Sequence, residues 1–225
     1  MSDEFITYPD REMLAISLAD RIAGQLAQHL RTQDRATLCV PGGTSPVQVF
    51  ETLSGADLDW QRVTVLPGDE RWVPGGHKRS NGRLLRRHLL KDRAAAARMV
   101  DLYDAIATPQ DAAPVLSDRV QPLLPLTVTL LGMGHDMHTA SLFPGAPGLA
   151  AALAPDAPAV LPVTGANTDE PRITLSARAL RDSISTHLLI FGPEKRAAFE
   201  AAASLPPTDA PIRAVMGNLV VHWAE

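Results

Sequence analysis

The chain has 225 residues, 45% of them hydrophobic and 20% charged, with seven histidines and a formal net charge of -4. That is ample length for one compact core at an ordinary globular balance, and residues 1–225 read as a single domain with no low-complexity linker. The charge balance argues against a nucleic-acid partner; the acidic N-terminus lacks a signal-like apolar core, and no segment approaches the roughly 20 apolar residues of a membrane span, so a cytoplasmic protein without nucleic-acid or membrane partners is expected.

In chain order, Leu14, Leu18, Ile22, Leu26 and Leu30 recur every four residues and predict a helix over 11–30 with one apolar stripe, capped by Asp10. Short apolar runs then alternate with helical patterns. Strands are expected over 37–40, 63–66, 99–102, 128–131, 173–175, 187–191 and 219–223. Helices are expected over 47–53, 81–91, 115–124, 177–182 and 194–204. This alternation predicts an α/β fold, a mostly parallel sheet covered by helices on both faces. The Ala- and Pro-rich stretch 144–162 has no clear period and reads as an irregular excursion of the same domain. Cys39, the only cysteine, lies in the first apolar run, so an intramolecular disulfide is impossible and a buried thiol in a reducing compartment is expected.

Four segments at predicted strand ends carry candidate chemistry. Gly42, Gly43, Thr44, Ser45 and Pro46 join a strand to a helix; Ser45 reads as the N-cap and Pro46 as the first helical residue, and the free N–H groups make an anion cradle. The segment has neither the Gly-Lys-Ser/Thr ending of a P-loop nor a complete dinucleotide fingerprint. Next come Asp69, Glu70 and Arg71, followed by Ser80 and Asn81, where Arg71 suits a phosphate and Asp69 or Glu70 would hold its guanidinium. The basic cluster of Lys78, Arg79, Arg83, Arg86 and Arg87 reads as a solvated face, having no aromatic residues nearby for base stacking.

The third segment, LLGMGHDMHTASLFPG over 130–145, places Asp136 and His138 just past a strand. A neutral imidazole near pH 7 is suited to taking a proton from water, with Asp136 to orient it. Gly132 and Gly134 imitate a nucleotide fingerprint, but Met137 occupies its third glycine position, so a nicotinamide cofactor is not expected. His135 and His138 at H-x-x-H spacing make only a weak metal signal. The fourth segment is a pair of cations, Arg172 and Lys195; Lys195 lies in the first turn of a helix, where a bound anion would compensate its charge. No G-x-S-x-G elbow is present, and the cysteine has no adjacent activating group, so covalent catalysis has no support.

Together these blocks resemble the 6-phosphogluconolactonase family, whose loop commonly reads GMGPDGHTASLFPG, and they run in the family's order across most of the chain. The resemblance implies a Rossmann-like fold shared with glucosamine-6-phosphate deaminases. It implies hydrolysis of 6-phospho-D-glucono-1,5-lactone to 6-phosphogluconate in the pentose phosphate pathway, with no metal or organic cofactor. It further implies His138 as the base that activates water, Arg71 and Lys195 around the phosphate with Arg172 nearby, and backbone N–H groups of the glycine turn on the phosphate or the developing oxyanion.

The chain departs from the family pattern at Met137, usually glycine, at His135, usually proline, and at His77-Lys78-Arg79, usually more acidic. Met137 puts a side chain where positive φ is expected. Two alternatives stand beside the lactonase reading. One is a deaminase-like enzyme, whose loop typically reads GHIAFNEPG against MHTASLFPG here. The other is a non-catalytic sugar-phosphate binder in which Met137 displaces His138. The sequence leaves open a monomer or a small homo-oligomer.

Overall fold

A computed structural model of the chain describes residues 3–106, 108–163 and 170–225. It begins with β1 (Glu4–Thr7) and α1 (Arg11–Leu30). The Met13 N–H, one of the free donors of the first turn, donates to the Asp10 carboxylate at 2.7 Å. Then follow β2 (Ala36–Val40), α2 (Val47–Ser54), β3 (Val63–Pro67), β4 (Asp69–Arg71), α3 (Asn81–His88), β5 (Arg98–Met99), α4 (Pro109–Val120) and β6 (Leu126–Gly132). The chain continues through α5 (Leu149–Leu153), β7 (Val160–Val163), β8 (Arg172–Leu175), α6 (Ala177–Arg181), β9 (Ser183–Phe191), α7 (Pro193–Ala202) and β10 (Leu219–Ala224).

Seven strands form one sheet in the order β1-β10-β9-β6-β2-β3-β5, every neighbour parallel. Because successive side chains of a strand point to opposite faces, each central strand feeds two cores. Leu38 and Val40 of β2, Val63 and Val65 of β3, and Val128 and Leu130 of β6 pack with α1, α2 and α3. Cys39, Leu66 and Leu131 from the same strands pack with α4, α5, α6 and α7 on the other face. The α1 stripe of Leu14, Leu18, Ile22 and Leu26 is fully buried, and each such side chain contributes roughly 1.5–3 kcal/mol of transfer free energy.

The order of strands locates the functional crevice. From β2 the chain moves outward to β3 and β5, and from β6 it moves the opposite way to β9 and β10. Neighbours β2 and β6 therefore send their following loops apart, opening a crevice at their carboxyl ends where ligands of open α/β sheets bind.

Several expectations are corrected. Segment 173–175 is a strand, but it lies in β8 of a separate antiparallel sheet, β4-β8-β7. Of the expected strand 99–102 only Met99 lies in a strand, as the second residue of β5. The stretch read as irregular carries α5 and the start of β7. Helix α4 begins at Pro109, not at 115, with the Thr108 hydroxyl accepting from the Asp111 N–H at 3.2 Å. Pro114 lies inside this helix. Ser45 is not a cap: the N-cap position of α2 falls on Pro46, because Val47 N–H closes a turn on the Thr44 carbonyl at 3.2 Å before the helix begins.

Candidate active site

A cavity of about 340 Å³ occupies the switch point. Gly42, Gly43 and Ser45 line it from the loop after β2; Asp69, Arg71 and Asn81 from β4 and α3; Gly134 and His138 from the loop after β6; Arg172 from β8; and Lys195 from α7. The structure thus gathers most of the residues singled out in the sequence from six separate segments. Asp136, Glu70, Thr44 and Ser80 do not line it, and Asp136 meets the site only through its bond to His138. Thr44 is exposed and contributes its carbonyl to the turn before α2, while Ser80 is buried and caps α3, accepting from the Arg83 N–H at 3.1 Å.

The loop after β6 is a tight backbone knot. Gly134 N–H donates to the His138 carbonyl at 2.9 Å and Met137 N–H to the Gly134 carbonyl at 3.1 Å. This folds Asp136 and His138 back over Gly134, where a Cβ would run into the His138 ring and the Asp136 carboxylate. Met137 takes the left-handed conformation with φ 63°, at a cost of roughly 1–2 kcal/mol for a residue with a Cβ. Two contacts hold it there: the Ile212 N–H donates to its carbonyl at 3.0 Å, and its side chain packs on the α4–α7 core. Met137 therefore does not displace His138, which stays at the cavity wall.

His138 Nδ1 is 2.5 Å from Asp136 Oδ1. A carboxylate at this distance can accept from Nδ1–H, which would leave Nε2 as the ring's acceptor. Phe143 packs against the ring, with centroids 4.7 Å apart. His135, by contrast, is exposed, with Nδ1 3.8 Å from Glu194. Among the described residues no three His, Cys, Asp or Glu side chains cluster as metal ligands.

The cations surround this dyad. Arg71 and Arg172 sit directly opposite each other in the β4–β8 pair. Burial first, and then the neighbouring Arg71 charge, push the Arg172 guanidinium below its ordinary pKa; Asp69 Oδ2, 3.8 Å away, opposes the shift. The Nε atoms of both arginines are buried without a hydrogen-bond partner among the described residues. Two adjacent guanidiniums with unspent donors favour an anion between or above them. The expectation that Asp69 or Glu70 would hold the Arg71 guanidinium is corrected: its NH1 donates to Asn81 Oδ1 and to the Arg79 carbonyl, and among the described residues no carboxylate pairs with it. Lys195 Nζ donates to the Met133 carbonyl at 2.6 Å, and burial lowers its pKa, opposed by Asp136. Asp69 accepts from Ser141 Oγ at 2.5 Å and from Asn81 Nδ2 at 3.1 Å, tying the histidine loop to the arginine side. Gly42 is needed for close approach, since a Cβ there would collide with the Asn81 side chain.

The buried Ser141 was missed as an organising residue, because a serine inside a loop signature carries no pattern that separates it from a surface residue; the buried Glu70 was singled out, but for the Arg71 guanidinium and not for the backbone groups it holds.

Comparison with known proteins places the chain in a family. The family model for glucosamine-6-phosphate isomerases/6-phosphogluconolactonase matches residues 9–223. A 6-phosphogluconolactonase of Pseudomonas aeruginosa is 42% identical over 213 residues, covering 93% of this chain and 90% of that protein. The crystal structure of a 6-phosphogluconolactonase from Shewanella baltica matches with TM-score 0.96 at 31% identity, covering 100% of this chain and 98% of that one. A monomeric glucosamine-6-phosphate deaminase shares the fold, with TM-score 0.82 at 16% identity over 99% of this chain and 97% of that one. The Rossmann-like architecture expected from the resemblance is therefore present, and the chain belongs to the glucosamine-6-phosphate isomerase/6-phosphogluconolactonase family.

Proposed function

We propose that the chain hydrolyses 6-phospho-D-glucono-1,5-lactone to 6-phospho-D-gluconate, in the oxidative branch of the pentose phosphate pathway and in the cytoplasm. Family membership and the lactonase relatives support the reaction class. The observation that carries the mechanism is the His138–Asp136 pair, bonded at 2.5 Å at the wall of a cavity that also presents Arg71, Arg172 and Lys195.

His138 Nε2 takes a proton from water as the water oxygen bonds to the lactone carbonyl carbon, and the carbonyl oxygen becomes an oxyanion. Asp136 fixes the ring and stabilises its charged form. Arg71, Arg172 and Lys195 hold the phosphate and offset negative charge, with backbone N–H groups at Gly42 and Gly43 directed to the phosphate or the oxyanion. Collapse of the intermediate breaks the bond to the ring oxygen, which leaves as a hydroxyl after receiving the proton from His138. The product carboxylic acid ionises, so one proton is released per turnover. Asp69 and Asn81 complete the binding wall, and Ser80 and Thr44 support it from behind by capping α3 and closing the turn before α2.

The test generates the lactone in situ with a glucose-6-phosphate dehydrogenase and follows its loss, corrected for spontaneous hydrolysis. The wild-type protein should accelerate the loss, and His138→Ala should lower kcat by about 10²–10⁴-fold while leaving 6-phosphogluconate binding in place. Full activity in His138→Ala would remove it as the base.

A further inference from the structure

Glu70 has no role in the chemistry above and does not line the cavity. It is 2% exposed, yet its carboxylate receives four hydrogen bonds. Oε1 accepts from the backbone N–H of Arg71 and from that of Asn81, each at 2.7 Å. Oε2 accepts from the Gly82 N–H at 2.7 Å and from the Ser80 hydroxyl at 3.0 Å. All four donors are neutral. Burial raises the Glu70 pKa, and the bonds from Gly82, Asn81, Arg71 and Ser80 oppose that rise. A carboxylate in this setting lies against the unpaired N–H groups and the positive end of α3, which favour its charged form.

Those bonds converge on the residues that aim Arg71. Oε1 pins the backbone of Arg71 and the first residue of α3, Asn81, to a single point. The Asn81 side chain then accepts from Arg71 NH1, and its Nδ2 donates to the Asp69 carbonyl at 2.7 Å. Gly82 lets the helix come this close, since a Cβ there would stand 3.4 Å from Glu70 Oε2 and 3.0 Å from Asp101 Oδ1. Without the carboxylate, the first turn of α3 would be held to β4 through the Asn81 side chain alone, the same group on which the guanidinium rests.

We propose that Glu70 is a positioning residue that sets the direction of the Arg71 guanidinium through the first turn of α3, and so determines affinity for the substrate's anionic group. The inference rests on the anion-holding role given to Arg71 in the lactonase reading.

The test is a double-mutant cycle on the full chain: wild type, Glu70→Gln, Arg71→Ala and the combination, each measured for kcat and KM with the lactone and for Kd with 6-phosphogluconate by calorimetry. An amide offers one acceptor oxygen and a donor group where four donors converge, so part of the set is lost. Glu70→Gln is expected to raise KM about tenfold with kcat changed less than about twofold. Added to Arg71→Ala, it is expected to change KM less than about twofold, because residues acting through one another are not additive. An undiminished effect in the Arg71→Ala background, or an unchanged KM in Glu70→Gln, overturns the proposal. Ser80→Ala removes a single one of the four donors and serves if Glu70→Gln does not fold; its smaller KM rise should likewise vanish without Arg71. If the wild-type protein binds 6-phosphogluconate but does not accelerate lactone loss, the lactonase reading fails while the Kd cycle still decides the coupling. A wild-type protein that neither turns over nor binds overturns both.

Discussion

Lowering the pH from 8 to 5 should destabilise this protein through two buried histidines that do not line the cavity. His187 and His222 are fully buried on β9 and β10 in a polar chain: Tyr8 OH to His222 Nδ1 at 2.8 Å, His222 Nε2 to His187 Nδ1 at 3.0 Å, and His187 Nε2 to Gln25 Oε1 at 2.7 Å. One arrangement of neutral tautomers satisfies every link, with Tyr8 donating at one end and Gln25 accepting at the other. Burial, with the Arg21 charge, lowers the His187 pKa from 6.5 to about 4; burial, then His187 and Arg21, lowers that of His222 to about 3. Both folded values lie below the unfolded value. The unfolded chain therefore binds more protons, and the stability present above pH 6.5 falls as pH drops toward the folded pKa values. Integrated from pH 8 to pH 5, each histidine removes about 2 kcal/mol, or about 4 kcal/mol for the pair. For a chain of this length that corresponds to a fall in Tm of roughly 10 °C. Circular dichroism melts at pH 8 and pH 5, on wild type and a His187→Gln/His222→Gln variant, measure it. The variant should lose most of the pH dependence; equal drops in both proteins would refute the reasoning.

Three further outcomes are expected. Asp136→Asn should lower kcat more than tenfold with little change in KM, because an amide no longer fixes the Nδ1–H tautomer of His138, and steady-state kinetics with a pH profile would show it. Gly42→Ala should raise KM and cost about 1–3 kcal/mol of stability in urea melts, since its Cβ would push into the Asn81 side chain that supports Arg71. Met137→Gly should leave stability within about 1 kcal/mol, the relief of the left-handed backbone being offset by chain entropy and lost side-chain burial. Its activity should stay within about twofold of wild type; a large gain in kcat would show that Met137 distorts the histidine loop.

The elements legible in the sequence are those whose own residues carry a period. The range and cap of α1 follow from a fourfold apolar repeat and Asp10, and β2, β3, β6, β9 and β10 stand near the expected apolar runs. The elements that escaped have no such period. β4 is Asp69–Arg71, wholly charged, and is a strand only because β8 pairs with it. β7 contains Pro162 and lies in a stretch of mixed Ala and Pro. Segment 173–175 shows an apolar run that suits either sheet, and run length alone does not say which partner it will find.

The sequence by itself determined the α/β class, the glycine turn, the Asp136–His138 spacing and the set of cations, since these are written in local periods and short motifs. Tertiary structure alone decided which of those groups meet. The β2–β6 switch point brings the glycine turn to the histidine loop, and the antiparallel β4–β8 pair sets Arg71 opposite Arg172 across about a hundred residues of chain. It also put Asn81, not a neighbouring acid, beneath Arg71, and placed Glu70 behind it. The reason is physical: a hydrogen bond or ion pair depends on distances of about 3 Å, and residues far apart in sequence come that close only when burial of the two cores folds the sheet.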